Sequence, residues 1–346
     1  MKFELVQQIP LTWVTKTNMN IDEHSNALLN RFFCTHRRNN AMQSIRVLTI
    51  VALVVFSSLF LVGPLSAQVS VVSIEPEQIS KPFRFYAGYG HLFNTDLDNR
   101  GDFSRDGFRF LFNGEVELTP DLRLINIASY DFNHYDFSSS SRFQWNDIHF
   151  ANYVPLFAWD ADEQWTILAA PIVRLNMAGD AKVKDSIRGG GVVGFSYSSS
   201  PTLTLGLIIG ALDQIEDDVQ IVPIPLIRWQ FADSWTFRTA VSQLGGQNGL
   251  GAEIAWRWTP KVELAGGAAF QRRRFRLNSN DQVGQETLIP IYGKLALDIH
   301  SQGKLELFVG VAAGGELRLE NKNGNKIREE DYDATPMLGA QLDFVF

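Results

Sequence analysis

The 346-residue sequence contains one cysteine, Cys34, and it lies in an N-terminal portion that reads as separate from the rest. With no second thiol there is no disulfide framework and no cysteine metal site. Positive charge is also in short supply, 31 Lys+Arg against 38 Asp+Glu, which argues against a nucleic-acid partner. After residue 67 no run approaches the ~18 apolar residues that a membrane helix needs, and no segment keeps a long helical period. The four histidines beyond that point, His91, His134, His149 and His300, are too scattered for a metal-ligand spacing. No nucleophile motif accompanies them, so neither a catalytic group, a metal nor a cofactor is expected.

The one long apolar run comes early. Ile45 to Leu65, IRVLTIVALVVFSSLFLVGPL, is apolar apart from Arg46, Thr49, Ser57 and Ser58. A basic residue opens it, Pro64 breaks it, and Ser66 and Ala67 follow. This is the layout of a secretory signal over residues 42–67, with cleavage after Ala67, although Leu65 fills a site where a small residue is usual. A retained anchor is the alternative. Residues 1–41 read as an upstream extension, a mis-assigned start, and residues 68–82 as a short segment ahead of the main domain. No cysteine adjoins the cleavage site, which removes a lipid-anchored reading. Residues 68–346 hold 25 Lys+Arg against 35 Asp+Glu.

From Phe83 onward one unit repeats: about ten residues of strand pattern, then a break. In ETLIPIYGKLALDIH, Ile289, Ile291, Leu295, Leu297 and Ile299 share a face opposite Tyr292, Lys294 and Asp298. In KLELFVGVAAGGELRLE, Leu305, Leu307, Val309, Val311, Leu317 and Leu319 oppose Lys304, Glu306, Glu316 and Arg318. Alternation of this kind is strand geometry. Fourteen such stretches occur, separated by tight turns such as Thr119-Pro120-Asp121 and Ala232-Asp233-Ser234 that alternate with mostly longer, polar connections. The connection near Gly245–Asn248 is short and spoils strict alternation. Short turns on one rim and long loops on the other describe a transmembrane antiparallel up-and-down β-barrel over residues 83–346.

Tryptophan supports the same arrangement. Trp159, Trp165, Trp229, Trp235, Trp256 and Trp258 all adjoin tight turns, as expected of an aromatic girdle at one membrane interface. The last strand, TPMLGAQLDFVF, places Leu338, Ala340, Leu342, Phe344 and Phe346 on one face. It resembles the terminal signal of outer-membrane proteins, so Leu342, Phe344 and Phe346 are expected to be read by the barrel assembly machinery. The stretches IPLIRWQFADSWTFRTAV, FQRRRFRLN and GVAAGGELRLENKNGNKI carry a wider likeness. Residues 83–346 resemble a family of outer-membrane β-barrel proteins known from genome sequences and classed as a domain of unknown function. The resemblance implies a Gram-negative outer membrane and supplies no functional residues.

The expected lumen lining carries both signs. It comprises Arg109, Glu115 and Glu117 early, Arg238, Glu253 and Arg257 in the middle, and Lys294, Asp298, Glu306, Glu316 and Arg318 late. Such a lining either forms a polar path or pairs across the lumen and braces the wall. Small residues Gly310, Ala312 and Gly314 suggest room inside, while Leu288, Tyr292 and Phe308 on the same face could close it. Arg272 and Arg274 continue the outer face of their strand and are expected to meet lipopolysaccharide phosphates, a solvated loop base being the alternative. The loop TDLDNRGDF hints at a calcium loop, but Arg100 stands where an oxygen ligand belongs. Gly189-Gly190-Gly191 lacks the Lys-Ser/Thr of a phosphate loop. The functional expectation is a narrow passive pore or small-solute transporter, with a structural or lipid-binding barrel, or less readily an outer-membrane enzyme, as alternatives. Processing is directly testable: intact mass of membrane-extracted protein should start at Gln68, and a mass retaining Ile45–Leu65 would favour the anchor.

Overall fold

The computed structural model describes residues 83–215, 219–244, 247–277 and 282–346, with backbone alone given for 240–244 and 247–249. The leader and the segment to residue 82 lie outside the described residues. The chain runs β1 (Phe83–Asp96), β2 (Asp102–Thr119), β3 (Leu122–Phe137), β4 (Asp147–Asp160), β5 (Trp165–Ala178), β6 (Ile187–Ser200) and β7 (Leu203–Asp213). It continues with β8 (Val219–Ala232), β9 (Trp235–Leu244), β10 (Gln247–Thr259), β11 (Val262–Arg276), β12 (Val283–His300) and β13 (Gly303–Glu320). β14 (Lys326–Tyr332) and β15 (Thr335–Val345) end it. Among the described residues the only helical turn is a short 3-10 segment, Val183–Asp185.

Each strand from β1 to β13 pairs antiparallel with the next; β13 then pairs with β15, and β15 with β1 in the register Phe85↔Phe344. The result is a closed fourteen-strand barrel. β14 is not an additional stave. It pairs with β13 from Gly315↔Tyr332 upward, where β15 stops at Ala312↔Thr335, so β14 and β15 are two pieces of one last stave. The polar stretch Asn321–Asp333, loop-like in composition, is therefore a tight turn followed by strand. Its hydrogen bonds show why: Asn321 Oδ1 accepts from the backbone of Asn323 and Asn325, and Gly324 adopts a φ of 74°. The side chain closes a turn that the polar composition had disguised.

The outer face carries the expected apolar band. On β2 it runs from Leu118 through Val116, Phe112 and Phe110 to Phe108, all exposed. Ten residues tilted by ~40° rise about 26 Å, the height of a bilayer's apolar band. On β15, Leu338, Leu342, Phe344 and Phe346 are exposed on that same side, and the Phe346 N–H donates to the Phe83 carbonyl at 3.0 Å. Around the tight-turn rim, Trp229, Phe231, Trp235, Trp256 and Trp258 form a chain of ring contacts with centroids 5.4–6.4 Å apart.

One irregularity of the ladder changes the face of the residues that follow. Between Thr287 and Ile289 the β12–β13 register shifts, and Gly314 on the opposite strand has a φ of 59°. One extra residue exchanges the faces of everything beyond it. Closure at β1–β15 is checked by deleting Phe346 or changing Phe344 to Asp. Both variants should fail to insert and should lose the shift in gel mobility that a folded barrel shows before boiling.

Candidate functional site

The inner face is the candidate site, and it has three parts. The first is a polar network on β9 to β13. Glu253, nearly fully buried, accepts from Arg238 Nε at 2.6 Å, from Lys294 Nζ at 3.1 Å and from the Tyr292 hydroxyl at 2.9 Å. Arg238 also reaches Glu263 at 2.9 Å, and Lys294 lies 3.9 Å from Glu306. Four residues expected in the lining, Arg238, Glu253, Lys294 and Glu306, thus meet in one cluster. Glu263 and Tyr292 join it unanticipated. Arg109 is buried 3.4 Å from Asp131, and Glu115 lies 3.6 Å from Arg123, which also bonds Asp160 at 2.9 Å. Glu117, Arg257 and Asp298 are exposed at the rim of tight turns, each two residues from the end of its strand.

The second part was not anticipated. Inward residues from β2 to β8 also form an apolar cluster shielded from solvent, with Leu111, Ile125, Leu156, Leu168, Ile208 and Ile224 packed together between charged side chains such as Arg109, Asp131 and Arg174. On β4 the inward Val154, Leu156 and Ala158 alternate with outward Tyr153, Phe157 and Trp159, so both faces are apolar and the alternation is invisible in hydropathy. The interior therefore combines an apolar cluster on β4 to β8 with ion pairs on β2, β3 and β9 to β13.

The third part is a plug at the loop rim. The end of β11 leaves the wall and crosses the interior: Arg276 bridges Met177 of β5, Asn176 Nδ2 donates to the Arg274 carbonyl at 3.2 Å, and Arg276 donates to the Ile215 carbonyl at 2.8 Å. Because β12 follows in register, the adjoining ends of β11 and β12, paired at Arg276↔Val283, lie inside the barrel mouth. Phe275, fully buried, packs on Tyr135, Trp145 and Phe150, with Phe103, Phe143 and Tyr332 in the same cluster. Glu286, also fully buried, accepts from Arg105, Arg273, Tyr135 and Tyr332, the tyrosine hydroxyls at 2.7 and 3.1 Å. The side chains of β2, β3, β11 and β14 thus converge on one carboxylate.

Several expectations change with these contacts. Gly310 and Ala312 face inward, but Tyr292 and Phe308 cover that surface; a Cβ on Gly339 would meet the Phe308 ring at 2.1 Å, so the ring lies flat on glycine. Beyond the Gly314 bulge the phase reverses, and Leu317 is the buried inward residue. Glu316 and Arg318 accordingly share the outer face with Thr287 and Ile289, not the lumen, and bond each other at 3.2 Å. Arg274 is buried, donating to Gln285 at 2.5 Å and Glu320 at 2.7 Å, and Arg272 donates to Gln285 at 2.8 Å. The inward lean of the hairpin buries Arg274, so it presents no surface guanidinium to a phosphate. Of the scattered histidines, His91 and His134 are on the outer face, His91 against Asp106 at 2.9 Å and His134 against Asp147 at 2.7 Å.

No sequence-family model and no curated protein sequence matches the chain. Solved structures resemble it at the level of outer-membrane barrels. An outer-membrane channel from Pseudomonas putida F1 is 9% identical with a TM-score of 0.46, over 81% of this chain and all of that one. The CymD monoaromatic hydrocarbon channel is 8% identical with a TM-score of 0.46, over 78% of this chain and 90% of its own. The NanC porin is 10% identical with a TM-score of 0.33, over 76% of this chain and 98% of its own. At these values the likeness bears on neither solute nor mechanism.

Removing the Glu286 carboxylate would leave Arg105 and Arg273 buried without their shared partner, a loss of about 3–5 kcal/mol. Glu286→Ala should therefore lower the denaturant midpoint of the folded barrel and expose the adjoining ends of β11 and β12 to protease, whereas Glu286→Gln, which still accepts hydrogen bonds, should do so less.

Proposed function

We propose that the protein is a passive outer-membrane channel for small solutes and that its described conformation is the closed one. One observation carries the reading: the mouth is filled by the ends of β11 and β12, which belong to the wall but are held inside by side-chain contacts and a single backbone bridge. A barrel serving only as an anchor gains nothing from bending two staves inward and burying an ion cluster beneath them. Swinging those ends back into line with the wall would clear the mouth without breaking the ladder that closes the barrel. Below the mouth, the Glu253 network supplies fixed charge for selecting ions.

The location follows from the same surface. An apolar band about 26 Å tall with a tryptophan girdle at one edge suits the outer membrane of a Gram-negative cell. Its partners there would be the bilayer lipids, lipopolysaccharide above the band, and the assembly machinery that recognises the final strand. A second reading, a barrel that braces the membrane without transport, is favoured by the solvent-shielded inner cluster.

Planar-bilayer recording separates the two. Wild type should open rarely and in steps, and Glu286→Ala should raise the open fraction by tenfold or more. Glu253→Gln leaves Arg238 and Lys294 in excess, so its reversal potential should shift toward anions. Silence from all three proteins would leave the bracing barrel as the function.

A further inference from the structure

The last stave carries an acid that the ion clusters of the interior do not reach. Glu330 is 3% exposed, and among the described residues neither of its carboxylate oxygens has a hydrogen-bond partner. In the β13–β14 register Leu319 opposes Arg328, Leu317 opposes Glu330 and Gly315 opposes Tyr332. Arg328, Glu330 and Tyr332 therefore succeed one another on the inward face. The pairings Glu286↔Leu317 and Leu317↔Glu330 put Glu286 two staves away, about 10 Å at the ordinary spacing of strands. Leu317 lies between the two acids, fully buried, and Arg105 and Arg273 are engaged with Glu286.

Aromatic side chains complete the surroundings. Arg328 Nη1 donates to the Arg142 carbonyl at 2.7 Å, which ties the residue before Phe143 to one end of this inward face. From there ring contacts run Phe143 to Phe137 at 6.2 Å, Phe137 to Phe103 at 5.3 Å and Phe103 to Tyr332 at 5.0 Å, the other end. Arg328 and Tyr332 are roughly 13 Å apart along the strand, with Glu330 midway. The chain of rings thus runs from one side of Glu330 to the other, beside Leu317 and Leu319 of β13. A buried carboxylate without a partner is unfavourable. A proton would remove the charge and still leave the polar atoms unmatched. A calcium ion takes about six to eight oxygens, and among the described residues no three His, Cys, Asp or Glu side chains are grouped to hold a metal. A single carboxylate among aromatic rings suits an alkylated ammonium, which ring faces attract and which needs few oxygen ligands.

We propose that the mouth is a binding site for a small organic cation of the alkylammonium class, with Glu330 as its countercharge and Phe103, Phe137, Phe143 and Tyr332 as its aromatic wall. That such a cation is a solute of the protein rests on the channel reading above; the binding itself does not. Occupation supplies the charge that Glu330 lacks, so the ligand stabilises the filled mouth.

The probe is tetramethylammonium chloride, titrated calorimetrically into the membrane-extracted barrel in detergent. Glu330→Gln removes the buried charge, so without ligand it should fold at least as stably as the wild type, and the gel-mobility shift of the unboiled barrel verifies this. Wild type should bind the probe saturably and Glu330→Gln at least tenfold more weakly. Phe137→Leu, which keeps the acid and shortens the aromatic wall, should bind several-fold more weakly. The probe should raise the denaturant midpoint of the wild type and leave that of Glu330→Gln unchanged, and sodium chloride at equal concentration should not displace it. Equal affinity in wild type and Glu330→Gln overturns the site, as does absence of binding to the wild type or full displacement by sodium. Binding by a barrel that is silent in planar bilayers keeps the site and overturns the channel. Stepwise conductance without binding keeps the channel and overturns the site.

Discussion

A backbone that crosses hydrocarbon must pair its own donors and acceptors, and nearly every feature of this protein follows from that constraint. Ring closure through β1 and β15 removes the two free edges that fourteen strands would otherwise present. The constraint also explains how irregularities are introduced. The bulge at Gly314 changes which face Glu316, Leu317 and Arg318 occupy while β13 keeps a partner on both sides. The last stave is broken at Asp333 and Ala334, yet the Asp333 N–H still donates to Asp96, and Thr95 Oγ1 to the Asp333 carbonyl.

Charge inside the barrel obeys a similar rule with less slack. Glu253 and Glu286 are each nearly or fully buried, and each collects two cations and at least one tyrosine hydroxyl. Buried carboxylates so surrounded hold their neighbours in place, because removing any donor uncovers a charge. Glu330, on β14, is an exception: it is buried, and neither carboxylate oxygen has a hydrogen-bond partner. That unbalanced group sits on the inward side of the stave beside Tyr332, where it works against the stability of the filled mouth.

Much of the architecture was legible because strand period, turn length and girdle tryptophans are local signals. Fourteen staves, the tight turns of one rim and the outward face of Leu338, Leu342 and Phe344 follow from residues within a dozen positions of one another. The interior was less legible, for particular reasons. Apolar residues on both faces of β4 leave no alternation from which to read an inner side. Glu316 and Arg318 were assigned inward because period two was carried through Gly314, and nothing in a run of AAGG announces a one-residue shift. Arg274 was placed on the surface since strand parity does not reveal that a strand leaves the wall. A faint signal existed in that case: Arg273, Arg274, Phe275, Arg276 and Leu277 offer no polar-apolar alternation, as suits a segment buried on both sides.

The plug is fastened across the mouth. Near the end of β11, Arg276 donates to the Ile215 carbonyl, and Arg188 of β6 donates to the carbonyls of Gln214 and Ile215. Residues 214 and 215 follow β7 directly, so the inward end of β11 is tied to the loop-rim end of β7. Withdrawing that end of β11 means breaking these bonds as well as the bridge to Met177 of β5. No spacing in sequence connects Arg276 with residues 213–215; only the inward lean of β11 brings them together.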